Sequence, residues 1–112
     1  MKTRLEFAQN SAAKALRNFH IAAQILTAAT QIYNLSLADL GSRRGPRRLT
    51  WPRQLCIYTI RLYTGMPDAT IAALLNCYSS NVTYSVKAVE DALATTPSTL
   101  AEVAALVSVI DD

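Results

Sequence analysis

Apolar residues recur at three- and four-residue steps along nearly the whole chain, and regular alternation of polar and apolar positions is almost absent. This pattern predicts an all-α protein of six helices. The first is expected over about Ala8–Tyr33, with Asn10 or Ser11 as its cap. Leu16, Phe19, Ala23, Leu26, Thr30 and Tyr33 share one face of it, and Ile21, Ile25, Ala28 and Ile32 a second. A helix that is apolar on two sides must cover both. One face suits the domain core; the other suits either the same core or a partner chain.

A short helix follows over Leu37–Leu40, capped by Ser36 and ended by Gly41. Glycine, proline and four arginines make residues 41–50 a loop. The next helix is expected to open at Trp51, with Thr50 as N-cap and Pro52 in the first turn, where a missing N–H is harmless. It should run to Thr64 and stop at Gly65, a residue suited to the left-handed conformation. Leu55, Ile57, Tyr58, Ile60, Leu62 and Tyr63 make it apolar nearly all round, as a central helix must be.

Met66 and Pro67 form a turn, and Asp68 caps a short helix through Leu75. Asn76–Tyr78 is a tight turn in which Asn76 tolerates left-handed geometry. Another helix starts at Ser79 or Ser80 and ends near Ala94. Thr95, Thr96 and Pro97 break it. Thr99 and Glu102 have capping-box spacing and are expected to open a last helix ending near Ile110. The chain divides into a long N-terminal helix over 1–33, a candidate interface, and a small helical domain over 34–112.

Composition narrows the function. A chain of 112 residues, half of them apolar, suits one modest core. No run reaches the roughly 18 apolar residues of a membrane span, and no apolar region with a cleavage site follows Met1–Asn10. A cytoplasmic protein is expected, with no membrane partner. Cys56 and Cys77 lack C-x-x-C spacing and His20 is the only histidine, which is too little for a zinc site. Two buried thiols and no cofactor are expected. No Ser-His-Asp, Cys-His or paired-carboxylate arrangement is visible; the adjacent Glu90 and Asp91 point apart on a helix. The chain is not expected to be an enzyme.

The net charge of +3 is unevenly spread. No acid lies between Asp39 and Asp68, where Arg43, Arg44, Arg47, Arg48, Arg53 and Arg61 stand. The remainder is mildly acidic. A concentrated basic patch of this kind points to a polyanion partner.

The segment Ile71–Val89 supplies the rest of the picture. A helix-turn-helix needs small residues where its helices cross, here Ala72 and Ala73, and a sharply bending turn residue, here Asn76. Its second helix needs one apolar stripe, here Val82, Val86, Val89 and Leu93. The opposite face carries Ser80, Asn81, Thr83, Tyr84 and Lys87, polar groups able to meet a base edge or a phosphate. Arginine in the upstream loop suits phosphates and narrow minor grooves, because its planar fork stays charged.

From about Gln24 to Val109 the chain resembles the C-terminal DNA-binding domain of the bacterial replication initiator DnaA. The strongest local match is L-G-S-R-R-G-P-R-R-L-T-W-P-R-Q-L-C-I-Y. The family has a basic loop ending in an R-P-R-Q-like element, for which Pro52, Arg53 and Gln54 stand here. Leu62–Gly65 resembles its Leu-Thr-Gly-like helix end. The resemblance implies a helix-turn-helix fold of the trp-repressor-like kind. It also implies DNA contacts from Arg44, Arg47, Arg53 and Gln54, partly through the minor groove, with Arg43 and Arg48 in the same basic element. Trp51 replaces the arginine that usually precedes the proline. The family's turn ends in two glycines followed by R-D-H-T-T-V; Asn76–Val82 aligns with it, one residue shorter in the turn, with Tyr78-Ser79 in place of the Asp-His pair and Ser80-Asn81 in place of the Thr-Thr pair, and only the valine survives. The implied base-reading positions therefore differ, so the preferred DNA site should differ too. Asn81 is the candidate for a bidentate adenine contact, and Tyr84 and Lys87 extend the face.

No G-x-x-x-x-G-K-[ST] loop is present, so the motor of an initiator is missing from this chain. The expectation is a sequence-specific reader of double-stranded DNA acting at the bacterial or phage nucleoid, with a homodimer through the first helix as a candidate assembly. A transcriptional regulator comes first. The alternatives are a replication modulator at or near initiator sites and a protein-interaction module that kept the helix-turn-helix shell.

Overall fold

The computed structural model describes residues 3–42 and 47–110, and of Arg47 the backbone alone. Among these residues the protein is all-α and has no strand. Its helices are α1 (Arg4–Ile32), α2 (Leu37–Leu40), α3 (Arg47–Thr64), α4 (Asp68–Leu74), α5 (Ser79–Thr95) and α6 (Pro97–Val107).

The near-continuous apolar character of α3 is what puts it in the middle: every other helix packs on it. Leu55, Cys56 and Ile60 are sealed from solvent, against Ile25 of α1, Leu40 of α2, Ile71 of α4, Val82 and Val89 of α5 and Leu106 of α6. Each such leucine or isoleucine contributes about 1.5–3 kcal/mol by leaving water. Buried Thr59 and Thr64 satisfy their hydroxyls by donating to the carbonyls of Leu55 and Ile60, both at 2.7 Å. The core runs across residue 33, because Ala22, Ile25, Ala28 and Ala29 of α1 belong to it.

Several element boundaries differ from the sequence expectation, each for a physical reason. Helix α1 opens at Arg4, earlier than Ala8, because Thr3 and Glu6 close a capping box there; Asn10 and Ser11 are interior. Its core face is Ala22, Ile25, Ala28 and Ala29, while Leu16, Phe19 and Ile32 remain exposed. Helix α3 opens one turn before Trp51, so Thr50 is no cap and Pro52 lies inside the helix. Pro67, not Asp68, occupies the cap position of α4. Asp68 instead pairs with Arg61 at 3.6 Å. Helix α6 opens at Pro97, with proline in its favoured first position. Thr99 is buried within it, and Glu102 caps nothing: its carboxylate faces Trp51 and Tyr33.

The left-handed positions lie where the turn chemistry requires them. Gly65 has φ 66° and its N–H donates to the Arg61 carbonyl, ending α3. Asn76 has φ 53° after α4. Asn34, φ 54°, ends α1 in the same way, with Leu35 N–H donating to the Thr30 carbonyl at 3.0 Å. No helix among the described residues is long and apolar enough to cross a membrane.

Candidate nucleic-acid interface

Helices α4 and α5 are joined by a turn held by backbone hydrogen bonds. Asn76 N–H donates to the Ala73 carbonyl at 3.3 Å and Cys77 N–H to the Ala72 carbonyl at 2.9 Å. With Asn76 in the left-handed region, this is a Schellman ending carried by asparagine instead of glycine. Two side chains then fix the turn in space. Asn76 Nδ2 donates to the Gly41 carbonyl at 2.9 Å, and Arg53 Nη2 to the Leu75 carbonyl at 3.2 Å. The second bond places a guanidinium on the negative end of α4, where the last carbonyls lack helical partners.

The inner stripe of α5 is Val82, Ser85 and Val89, with Val86 and Leu93 partly covered. Packing those residues against α3 leaves the other face outward. Ser79, Ser80, Asn81, Thr83, Tyr84 and Lys87 are all exposed, Tyr84 by 70%. Tyr78, at the cap position, is exposed as well. Between this face and the N-terminal half of α3 lies a cleft of about 190 Å³. Thr50, Arg53, Gln54 and Ile57 form its α3 wall; Asn81, Tyr84 and Ser85 form its α5 wall, with Cys77 at the turn.

The structure thus brings Arg53 and Gln54 together with Asn81 and Tyr84. Arg53 is half-buried, and its Nε is sealed from solvent without a hydrogen-bond partner among the described residues. Arg48 is exposed on the first turn of α3. Its charge adds to the hydrogen bonds from Ser36, first the backbone and then the side chain, that hold the Asp39 carboxyl below its usual range. Lys87 is engaged with Asp91 at 3.3 Å, an exposed i,i+4 pair that holds it loosely. The expectations for Arg43, Arg44 and the Arg47 side chain fall outside the described residues.

Trp51 is not in this group. Its indole Nε1–H donates to Glu102 Oε1 and Oε2 at 3.3 and 3.1 Å, which turns the ring toward α6. The Tyr33 hydroxyl donates to the same carboxylate. Burial, then the bond to Glu102 and its negative charge, push the Tyr33 phenol well above its usual range. Arg61 is also elsewhere, in its pair with Asp68. The indole and Arg61 therefore hold helices together, though both lie in the basic run of the sequence.

Thr50, Ile57, Cys77 and Ser85 also line the cleft and were not among the residues expected there. For Thr50 and Ile57 the signal was present in helical spacing: 50, 53, 54 and 57 share one face of α3, once α3 is known to start before residue 50. Among the described residues, no group of three or more His, Cys, Asp or Glu side chains is placed to hold a metal. The Cys56 thiol is pushed up to about 12 by burial. No protein-family model matches the chain, and no curated protein sequence matches it significantly.

Proposed function

We propose that this chain is a sequence-specific double-stranded DNA-binding protein of the DnaA-like helix-turn-helix kind, acting as a transcriptional regulator at the bacterial or phage nucleoid. In this reading α5 lies in the major groove, and α3 with the basic segment before it grips the backbone. Asn81 reads a base edge, a contact that discriminates by roughly 1–3 kcal/mol. Two copies act together through α1.

The observation that carries the reading is the shared cleft: Arg53 and Gln54 of α3 face Asn81 and Tyr84 of α5. Backbone-gripping and base-reading groups must lie on one surface, and these do. The N-terminus of α3 adds support. Arg47 and Arg48 open that helix, and its first turn contains no acid. Positive charge at the positive end of a helix dipole disfavours folding, and a bound polyanion relieves it.

Mobility-shift titration against random duplex, followed by selection from a random pool, tests the reading. Affinity should fall steeply with salt, and one consensus should emerge. Affinity indifferent to salt, or no enriched sequence, would overturn it.

A further inference from the structure

We propose that the N-terminal half of α1 is a homodimerisation element that pairs antiparallel with the same segment of a second copy, about a two-fold axis at Ala12. The pairing rests on the two-copy part of the reading above and not on DNA binding.

Residues 3–17 are all exposed, and the molecule measures 49 Å along its long axis but only 27 by 24 Å across. At 1.5 Å per residue, Arg4–Ala13 makes about 15 Å of helix reaching past the body, since Lys14 and Ala15 line a cleft with Met66 and Pro67. An isolated helix of this length is marginal in water. Its far end is nonetheless closed by a complete capping box. Glu6 N–H donates to Thr3 Oγ1 at 3.2 Å, and Thr3 N–H to Glu6 Oε2 at 3.3 Å.

The N-terminal half carries its own apolar stripe: Leu5, Ala8, Ala12, Leu16 and Phe19, at steps of three and four. This is not the face that enters the core at Ala22, Ile25 and Ala29. Arg4, Glu6, Lys14 and Arg17 all lie off it. Leu5, Leu16 and Phe19 are exposed by 67%, 71% and 45%, so the stripe is uncovered within one chain.

A second copy of the same stripe fits it. The stripe is symmetrical in spacing about Ala12, with Ala8 and Leu16 four residues away and Leu5 and Phe19 seven away. An antiparallel copy sets Leu5 against Phe19, Ala8 against Leu16 and Ala12 against itself. Small side chains at the crossing let the backbones approach, and large ones meet small ones beside it. No charge is brought against a like charge within the seam. Phe7, also exposed, lies on the opposite side of α1 from the stripe and takes no part in the seam. A seam of five side chains per copy is small beside the roughly 1,200–2,000 Å² of specific interfaces, so the dimer depends on concentration.

Sedimentation equilibrium of the whole chain without DNA, from low to several hundred micromolar, tests this. A monomer–dimer equilibrium is expected. The double variant Leu5→Lys, Leu16→Lys should weaken it at least about tenfold while the helical circular dichroism is kept, since both residues are solvent-facing in the monomer. In a Cys77→Ser background, Ala12→Cys should cross-link to itself, and Leu5→Cys to Phe19→Cys in a mixture. A chain monomeric throughout, a dimer indifferent to both lysines, or Leu5→Cys linking to itself in preference to Phe19→Cys would overturn the proposal. A monomer that still shifts DNA refutes the pairing alone; a dimer that binds no DNA refutes the DNA reading alone.

Discussion

The side-chain amide of Asn76 donates to the backbone carbonyl of Gly41 across 2.9 Å, tying the α4–α5 turn to the end of α2. One residue therefore does two things: it adopts the left-handed conformation the turn needs, and it fixes where the chain enters the segment before α3.

Asn76→Ala should lose both. A non-glycine residue without a compensating side chain costs about 1–2 kcal/mol in that conformation, and the lost bond about another 0.5–1 kcal/mol. Asn76→Gly should recover the conformational part only. Gly41→Ala should be close to neutral, since an added Cβ meets no atom nearer than 3.8 Å and the backbone there has negative φ. Urea denaturation of the three variants checks the order.

Glu102 joins α6 to α1 and α3 by accepting from Tyr33 and Trp51. Glu102→Leu leaves a phenol and an indole N–H without their acceptor in a part-buried site, and should destabilise by about 2–3 kcal/mol. Trp51 is the only tryptophan, so its emission reports the change directly. DNA affinity per folded molecule should be unchanged, because neither group is in the α3–α5 cleft. Fluorescence and mobility shift on the same samples separate the two effects.

Tyr33 makes stability fall in alkali. Its phenol is held neutral in the folded state, whereas in the unfolded chain it titrates near 10. Below that value the stabilisation is fully present. As pH rises past it, the unfolded state releases the proton first and is favoured, so stability declines. Tyr33→Phe should flatten this decline while lowering stability at neutral pH. Denaturation midpoints between pH 8 and about 11 measure it.

On the proposed DNA-facing surface, the variants should separate by kind. Arg48→Ala should weaken binding to all sequences and reduce the salt slope by about 1. Asn81→Ala should relax preference at one base position with the salt slope intact. Arg53→Ala should both weaken binding and lower stability by about 1–2 kcal/mol, because the Leu75 carbonyl loses its guanidinium. Binding titrations against the selected consensus and its single-base variants read all three.

The helical class, the six helices, the central place of α3 and the left-handed turns at Gly65 and Asn76 were legible in the residues alone. These depend on neighbours in the chain: periodicity, side-chain size, and the few residues that tolerate positive φ. The pairing of Arg53 and Gln54 with Asn81 and Tyr84 was legible only through resemblance, since nothing local links residues so far apart.

Tertiary packing decided the rest. Trp51 and Arg61 stand in the basic run, yet one bonds Glu102 and the other Asp68, because partners distant in sequence were within reach once the helices met. Glu102 has capping spacing but serves as the acceptor for two aromatic groups, since burying both without an acceptor would cost more than leaving one helix end uncapped. Of the two apolar faces on α1, packing takes part of each: Ile25 and Ala28 of one are buried and Leu26 and Tyr33 of the other lie against the core, while Leu16, Phe19 and Ile32 stay exposed. Local sequence sets what each residue is able to do; the contacts available in three dimensions select which of those it does.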